Sequence, residues 1–431
     1  MTILRRVGYV LAFAWRRLVH RLAPSALVAL GIAAGAGALA AVSAGALISE
    51  ARYVDREVAR IPEADRLIRA QWFGVPRELE WETLDGEVRT ALATLGRGNA
   101  SATVRYRQTQ VGGALVDIAA ADGLSRWVEL RSGRLPRRCR PARCEVVQLG
   151  GTGEIPNVPG LRLVKVGEAT LRSAVLFGEL VPREGDTPDA GVASASPPFV
   201  LVEGVKETAR LRPLATIFRS YGWIVPISAG SVRPWEVDHL TSALTRTRSE
   251  LEASSDLFDV TAPTAELEAA RAQASTGGRR LLVVGGTAAA LLLAFAILAA
   301  SALRRDAEAE QRRLTWFGAR RWQLVALPAA EAGLLAALAA ALGWIGGGAA
   351  AAAVAQGNGL TAADVLARTT FSAAGVLTAA GLAVAAWLLV LGFVRARPLR
   401  LGGATLTPLD VAALGALAVL AVVTARGSFN A

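Results

Sequence analysis

Long apolar runs divide this chain more sharply than any single motif does. Segments 22–49, 281–303 and 369–394 carry no charged residue, and 322–363 is interrupted only by Glu331. Each exceeds the roughly 20 residues that cross about 30 Å of hydrocarbon as a helix. A further run, 411–425, reaches that length if the segment from 404 joins it, with Asp410 near one end. The pattern predicts spans at 22–49, 280–303, 324–355, 369–394 and 404–425. Ahead of the first span, Leu4, Val7, Leu11, Trp15, Leu18 and Leu22 share one arc of a helical wheel, opposite Arg5, Arg6, Arg16, Arg17 and Arg21. Residues 1–21 therefore read as an amphipathic helix lying in a membrane interface.

Between the first and second spans the pattern changes. Residues 103–120, "TVRYRQTQVGGALVDIAA", alternate around Gly112-Gly113 and predict a hairpin. "LRLVKV" and "PFVLVEG" read as further strands, and residues 236–255 as a helix with Val237, Leu240, Leu244 and Leu251 on its apolar face. Residues 181–198 are rich in Pro and Gly and read as an exposed loop. Pro263 and Thr264 offer a helix start, with Glu266 and Glu268 where the dipole favours negative charge; this helix runs through Gly277-Gly278 into the second span. The expected fold is thus a transmembrane helical bundle with a large extracytoplasmic α+β domain, 50–279, between its first two spans. Helical stalks join that domain to both spans, so that it moves when they move.

Composition supports the membrane reading, with 53% of the 431 residues hydrophobic. The net charge of +11 raises the question of nucleic acid, and its distribution answers it. Residues 50–279 hold 30 basic and 30 acidic side chains, leaving 17 basic against 6 acidic for the rest. The excess clusters at Arg5, Arg6, Arg16, Arg17 and Arg21, at Arg304, Arg305, Arg312, Arg313, Arg320 and Arg321, and at Arg395, Arg397 and Arg400. Those clusters alternate with balanced connections, the positive-inside pattern, which explains the basicity without nucleic acid. The N-terminus is then cytoplasmic, 50–279 outside, 304–323 inside, 356–368 outside and 395–407 inside. An odd span count leaves open a continuation into a second, similar half.

Cys139 and Cys144 both fall in the outside region, where an oxidising compartment permits a disulfide between them; two free thiols are the alternative. Only His20 and His239 exist, on opposite sides of the membrane in this topology, which argues against zinc. The first run is nearly twice a usual signal-peptide core, so an uncleaved span is expected. The two lysines, Lys165 and Lys206, follow no Gly-rich phosphate loop, and no G-x-S-x-G, H-E-x-x-H or Cys-x-x-Cys occurs. Glu78, Glu80 and Glu82 alternate along a charged stretch that reads as a solvated face. The chain is expected to be no enzyme, with any ATP hydrolysis in a partner.

One segment combines residue types and spacing. From Glu310 the pattern runs E-x7-G-A-x3-Q-x7-E, as Glu310, Gly318-Ala319, Gln323 and Glu331, in "EQRRLTWFGARRWQL" and beyond. With Arg304 and Arg305 ahead of it, this resembles the FtsX-like permeases, the MacB and LolC type of ABC transporter membrane subunit. The likeness extends to one span, an outer domain and then three spans, over roughly residues 1–400. Trp316-Phe317 depart from it, where the family has smaller aliphatic residues, and so does the additional span after Leu401.

The resemblance implies that 304–323 is a cytoplasmic coupling helix for a separate ABC ATPase subunit, which binds ATP and Mg. Glu310, Arg313, Leu314, Trp316, Phe317, Gly318, Ala319 and Gln323 are the candidate coupling residues. Arginines and aromatics there also suit a lipid headgroup boundary, and Gly318-Ala319 a bend or close approach. The resemblance further implies a second permease copy or half, a bacterial cytoplasmic membrane, and export or extraction of lipid, lipoprotein or peptide-like cargo, without carriage through a central channel. An extracytoplasmic adaptor is then a possible partner. The alternative is an FtsX-type scaffold that activates a cell-wall hydrolase. A receptor without an ATPase is a further reading. Glu331, on the order of 10 Å into the third span at 1.5 Å per residue, calls for a partner, with Arg304 or Arg305 the candidates. "GWIGGG", 343–348, reads as a site of close helix packing.

Overall fold

The computed structural model describes residues 12–19, 22–75, 80–106, 109–111, 114–150, 154–172, 198–302, 309, 312–356, 359–395, 400–401 and 404–405. In chain order the elements begin with α1 (12–19), α2 (Leu22–Arg60), β1 (Leu67–Gly74), α3 (Glu80–Ala93), β2 (Ser101–Tyr106), β3 (Thr109–Val111) and β4 (Ala114–Ala121). There follow β5 (Val128–Gly133), β6 (Cys139–Arg140), β7 (Arg143–Gly150), β8 (Arg162–Leu171), β9 (Phe199–Glu203), α4 (Val205–Ala209) and β10 (Arg219–Pro226). The last are α5 (Val237–Ser254), β11 (Phe258–Thr261), α6 (Thr264–Ala302), α7 (312–316), α8 (Arg321–Gln356), α9 (Ala362–Arg368), α10 (Ala373–Arg395), β12 (Arg400–Leu401) and β13 (Ala404–Thr405). The chain divides into two compact units, Met1–Tyr53 with Ala272–Ala431, and Val54–Arg271. Both α2 and α6 carry residues of each unit, and α6 runs unbroken through Gly277-Gly278.

The helical unit contains four helices long and apolar enough to cross a membrane, α2, α6, α8 and α10. Pro24 stands in the first turn of α2, where its missing N–H would have no partner in any case. The core is made of small residues: Ala36 of α2, Ala296 of α6, Ala336 and Ala340 of α8 and Ala386 of α10 cluster with Val28, Ile32 and Val390. Small side chains let backbones come close, and α2 and α8 do so at two successive turns. A Cβ at Gly343 would overlap the carbonyl of Ala33, and one at Gly347 that of Gly37. The "GWIGGG" run is therefore a helix contact, as its composition predicts. Two indoles tie the bundle further, Trp387 donating to the Ala329 carbonyl at 2.8 Å and Trp344 to that of Thr370 at 3.1 Å. Of segment 404–425, the described residues Ala404–Thr405 pair as a strand with Arg400–Leu401.

The mixed unit is built on an 11-stranded sheet, in the order β11-β1-β10-β2-β4-β9-β7-β8-β5, with β3 paired to β4 and β6 to β7. All pairings are antiparallel except β4 with β9 and β7 with β8. Val111 opposite Ala114 makes the expected hairpin; of the strand before it β2 and β3 are described, and residues 107–108 lie outside the described residues. The predicted strands "LRLVKV" and "PFVLVEG" are β8 and β9. The predicted helix is α5, with Val237, Leu240, Leu244 and Leu251 buried. Loop 181–198 lies outside the described residues except for Pro198.

Alternation along β10 places Tyr221 and Trp223 on one face and Ile224 on the other. On the first face Trp81 of α3 stacks on Trp223 at 5.6 Å, and Trp223 donates its indole N–H to Asp85 at 2.8 Å. On the second, Ile224 joins Leu67, Leu124, Trp127 and Leu201. Arg219 is fully buried, its guanidinium over the Tyr106 ring and donating to the Leu214 and Ala215 carbonyls at 2.6 Å. Burial raises the Tyr106 hydroxyl pKa above its ordinary value, so this tyrosine stays neutral and the arginine's field is met by carbonyl dipoles.

Candidate functional site

Residues 312–323 form a helix, a turn and a helix start, and their spacing follows from capping rules. The short helix α7 ends at Trp316, and Gly318 adopts φ +74°, the left-handed conformation that L side chains disfavour. The Gly318 N–H donates to the Thr315 carbonyl and the Ala319 N–H to that of Leu314, both at 3.1 Å. Those two bonds are the Schellman pattern, in which glycine ends a helix and an apolar residue after it faces one three places before the helix's end. Leu314 and Ala319 fill the two apolar positions, both half-buried. Gly318 supplies the bend rather than close approach, since a Cβ there would meet nothing within 4 Å.

Gln323 belongs to the next helix start. Its side-chain oxygen accepts the Arg320 backbone N–H at 2.9 Å, so α8 begins with half of a capping box. The Gly-Ala-x3-Gln spacing is thus the geometry of a tight helical corner. What the corner presents outward is different: Trp316 and Phe317 are each 88% exposed at its tip, and Arg312, Arg313 and Arg320 are exposed around it. Glu310, Arg304 and Arg305 lie outside the described residues.

Beside the corner is a groove of about 550 Å³ lined by Phe13 and Arg16 of α1, Leu314, Ala319, and Trp322 and Leu327 of α8. The helix α1 is the described part of the predicted amphipathic helix, and it reaches α8 through charge. Arg17 Nε lies 3.2 Å from Glu331 Oε1, with the two side chains only 16% and 23% exposed. Among the described residues Arg17 is thus a partner of Glu331; the expected Arg304 and Arg305 lie outside the described residues. The helical wheel places Arg17 on the polar side of α1 but cannot say which helix that side meets.

No family model and no curated protein matches the chain. The coupling reading of the corner therefore rests on its own residues and on the resemblance described above.

In the mixed unit Cys139 and Cys144 form a disulfide, facing each other across β6 and β7. Next to it, Glu145 accepts both Arg134 guanidinium N–H groups at 2.7 Å and the Arg137 backbone N–H at 2.9 Å. The Arg134 fork, helped by that backbone donor, holds the Glu145 carboxyl down at about 2, below its ordinary 4.5. Elsewhere in this unit Glu82 is likewise lowered: desolvation, the largest single effect, raises it, and the Arg210 contact, a backbone hydrogen bond and the Lys206 charge together outweigh that. Burial raises Glu203, against the Gly123 and Leu124 N–H groups that its carboxylate accepts. Among the described residues no three His, Cys, Asp or Glu side chains gather as a metal site.

Proposed function

We propose that this chain is the membrane subunit of an FtsX/MacB-type ABC machine, and that the α7–α8 corner receives the motion of a separate cytoplasmic ATPase. The observation that carries the proposal is the division of labour in the corner. Leu314, Gly318, Ala319 and Gln323 fix its shape, while Trp316 and Phe317 project from it between two long apolar helices. Exposed aromatics ringed by arginines are the side chains that anchor protein interfaces, at about 2 kcal/mol or more each.

The apolar surface of the helical unit supports insertion in a bilayer. Leu30, Val284, Leu291, Leu342 and Leu377 are each more than three-fifths exposed along helices of membrane-spanning length. Such faces are stable against lipid rather than water. Because α2 and α6 each carry residues of both units, a displacement of these spans is a displacement of helices that continue into the mixed unit. With Arg-rich α1 and corner inside, the mixed unit faces outward, where its disulfide is at home. The cargo class that goes with this reading is lipid, lipoprotein or peptide-like.

The test is co-purification of the full chain with a cytosolic ATPase, compared with a Trp316→Ser/Phe317→Ser variant. Loss of two anchors of about 2 kcal/mol each predicts roughly a 10³-fold weaker complex. Unchanged association would remove the corner from the coupling role.

A further inference from the structure

Residues 50–279 are neutral in sum, yet seven arginines stand between residues 124 and 143 against the single acid Glu129. The sheet gathers part of this charge into a line. Arg140 of β6 is opposite Arg143 of β7, and Arg143 is opposite Arg162 of β8. Residues in register on neighbouring strands share a face, and strands lie about 4.8 Å apart, so three guanidinium groups rise from one face within roughly 10 Å. All three residues are exposed, while Cys144 and Leu163 in the next register are buried.

This row does nothing for the sheet, because like charges directly opposite each other destabilise a strand pair. Two features oppose the repulsion. The Cys139–Cys144 disulfide closes the hairpin one residue from the row, and the Arg162 N–H donates to the Ala142 carbonyl at 3.0 Å, holding β8 against the turn. The carboxylates of these strands are spent elsewhere, Glu145 on Arg134 and Glu168 on Lys165. Arg137 and Arg138, both exposed, extend the charge beyond the row.

We propose that the Arg140–Arg143–Arg162 row is a binding surface for a linear phosphate polymer, one that carries its charges on the backbone. Guanidinium forks match phosphate oxygens in pairs, and a straight row suits a chain rather than a single ion. Residues 131–145 and 154–172 contain no aromatic residue, which leaves no platform for stacking nucleic-acid bases. No large apolar side chain between Leu130 and Phe218 is strongly exposed among the described residues, which leaves nothing to insert into a bilayer. The surface stands independently of the coupling corner, so either assignment survives failure of the other.

The experiment uses the full chain in phosphatidylcholine nanodiscs, titrated with fluorescent linear polyphosphate and followed by anisotropy. Three phosphate contacts predict a log–log salt slope of about −2, or roughly a 20-fold loss of affinity from 50 to 200 mM salt. The Arg140→Ser/Arg143→Ser/Arg162→Ser variant should bind at least about tenfold more weakly at low salt and lose most of that slope. The corresponding Arg→Lys triple, which keeps the charge, should keep the slope and so controls for folding. Arg246→Ser, an exposed arginine on α5, should change nothing. Undiminished binding by the serine triple, or equal loss with Arg246→Ser, would overturn the assignment. So would full competition by polyglutamate at equal charge, or capture by phosphatidylglycerol vesicles that polyphosphate does not displace.

Discussion

Removing either charge of the Arg17–Glu331 pair should cost more than removing both. The guanidinium and carboxylate lie 3.2 Å apart and are largely withdrawn from solvent. At an effective dielectric of about 20 their attraction is about 5 kcal/mol gross, much of which repays desolvation. Arg17→Met leaves a carboxylate on a membrane-length helix, and Glu331→Met leaves a guanidinium on α1; each is expected to cost about 3–5 kcal/mol. Arg17→Met/Glu331→Met strands no charge and should recover most of that loss, giving a coupling energy of about 2–4 kcal/mol. Thermal unfolding of the full chain in neutral detergent, followed by tryptophan fluorescence, reads the cycle. Each single variant should lose about 6–20 °C, at roughly 2–4 °C per kcal/mol, and the double variant less than either. Additive losses within about 0.5 kcal/mol would refute the reasoning and leave α1 unlatched from α8.

Three further outcomes follow from the geometry. Gly347→Leu places a side chain on the Gly37 backbone, so it should lower the melting temperature of the helical unit by forcing α2 and α8 apart, whereas Gly346→Leu, where a Cβ meets nothing, should leave the melt within about 0.5 kcal/mol of the parent. Glu145 binds its proton more weakly folded than unfolded, so its contribution to stability is present above about pH 4.5 and is lost as pH falls towards 2. The melting difference between the parent and Glu145→Gln should therefore be constant from pH 5 to 7 and shrink below 4.5. Single cysteines placed at Phe317 and Arg246 in a Cys139→Ser/Cys144→Ser background should differ towards a membrane-impermeant maleimide on intact cells: labelling at 246 and protection at 317 is expected, and the reverse would invert the topology.

The membrane-length helices were legible because their signal is one of length and composition, which needs no partner. The capping residues were legible as a pattern but not as a cause: Gly318, Ala319 and Gln323 fit the family spacing, and the structure adds that a Schellman turn followed by a capping glutamine requires that spacing. The spacing that carries the resemblance and a local folding rule coincide there, so it is the exposed Trp316 and Phe317 that bear on the proposed partner. The Arg17–Glu331 pair was not legible, because a wheel gives the side of a helix and not its neighbour. The arginine row was hidden by the charge sum: 30 against 30 is neutrality over residues 50–279, and only strand register brings Arg140, Arg143 and Arg162 together.

The central claim, that the corner meets a nucleotide-driven partner, is tested most directly by a photo-crosslinking amino acid at position 317 in living cells, with the product identified by mass spectrometry before and after ATP depletion. The account predicts a covalent adduct with an ATP-binding subunit, its yield changing with the nucleotide state. Adducts with lipid alone, or with a protein that binds no nucleotide, would contradict it.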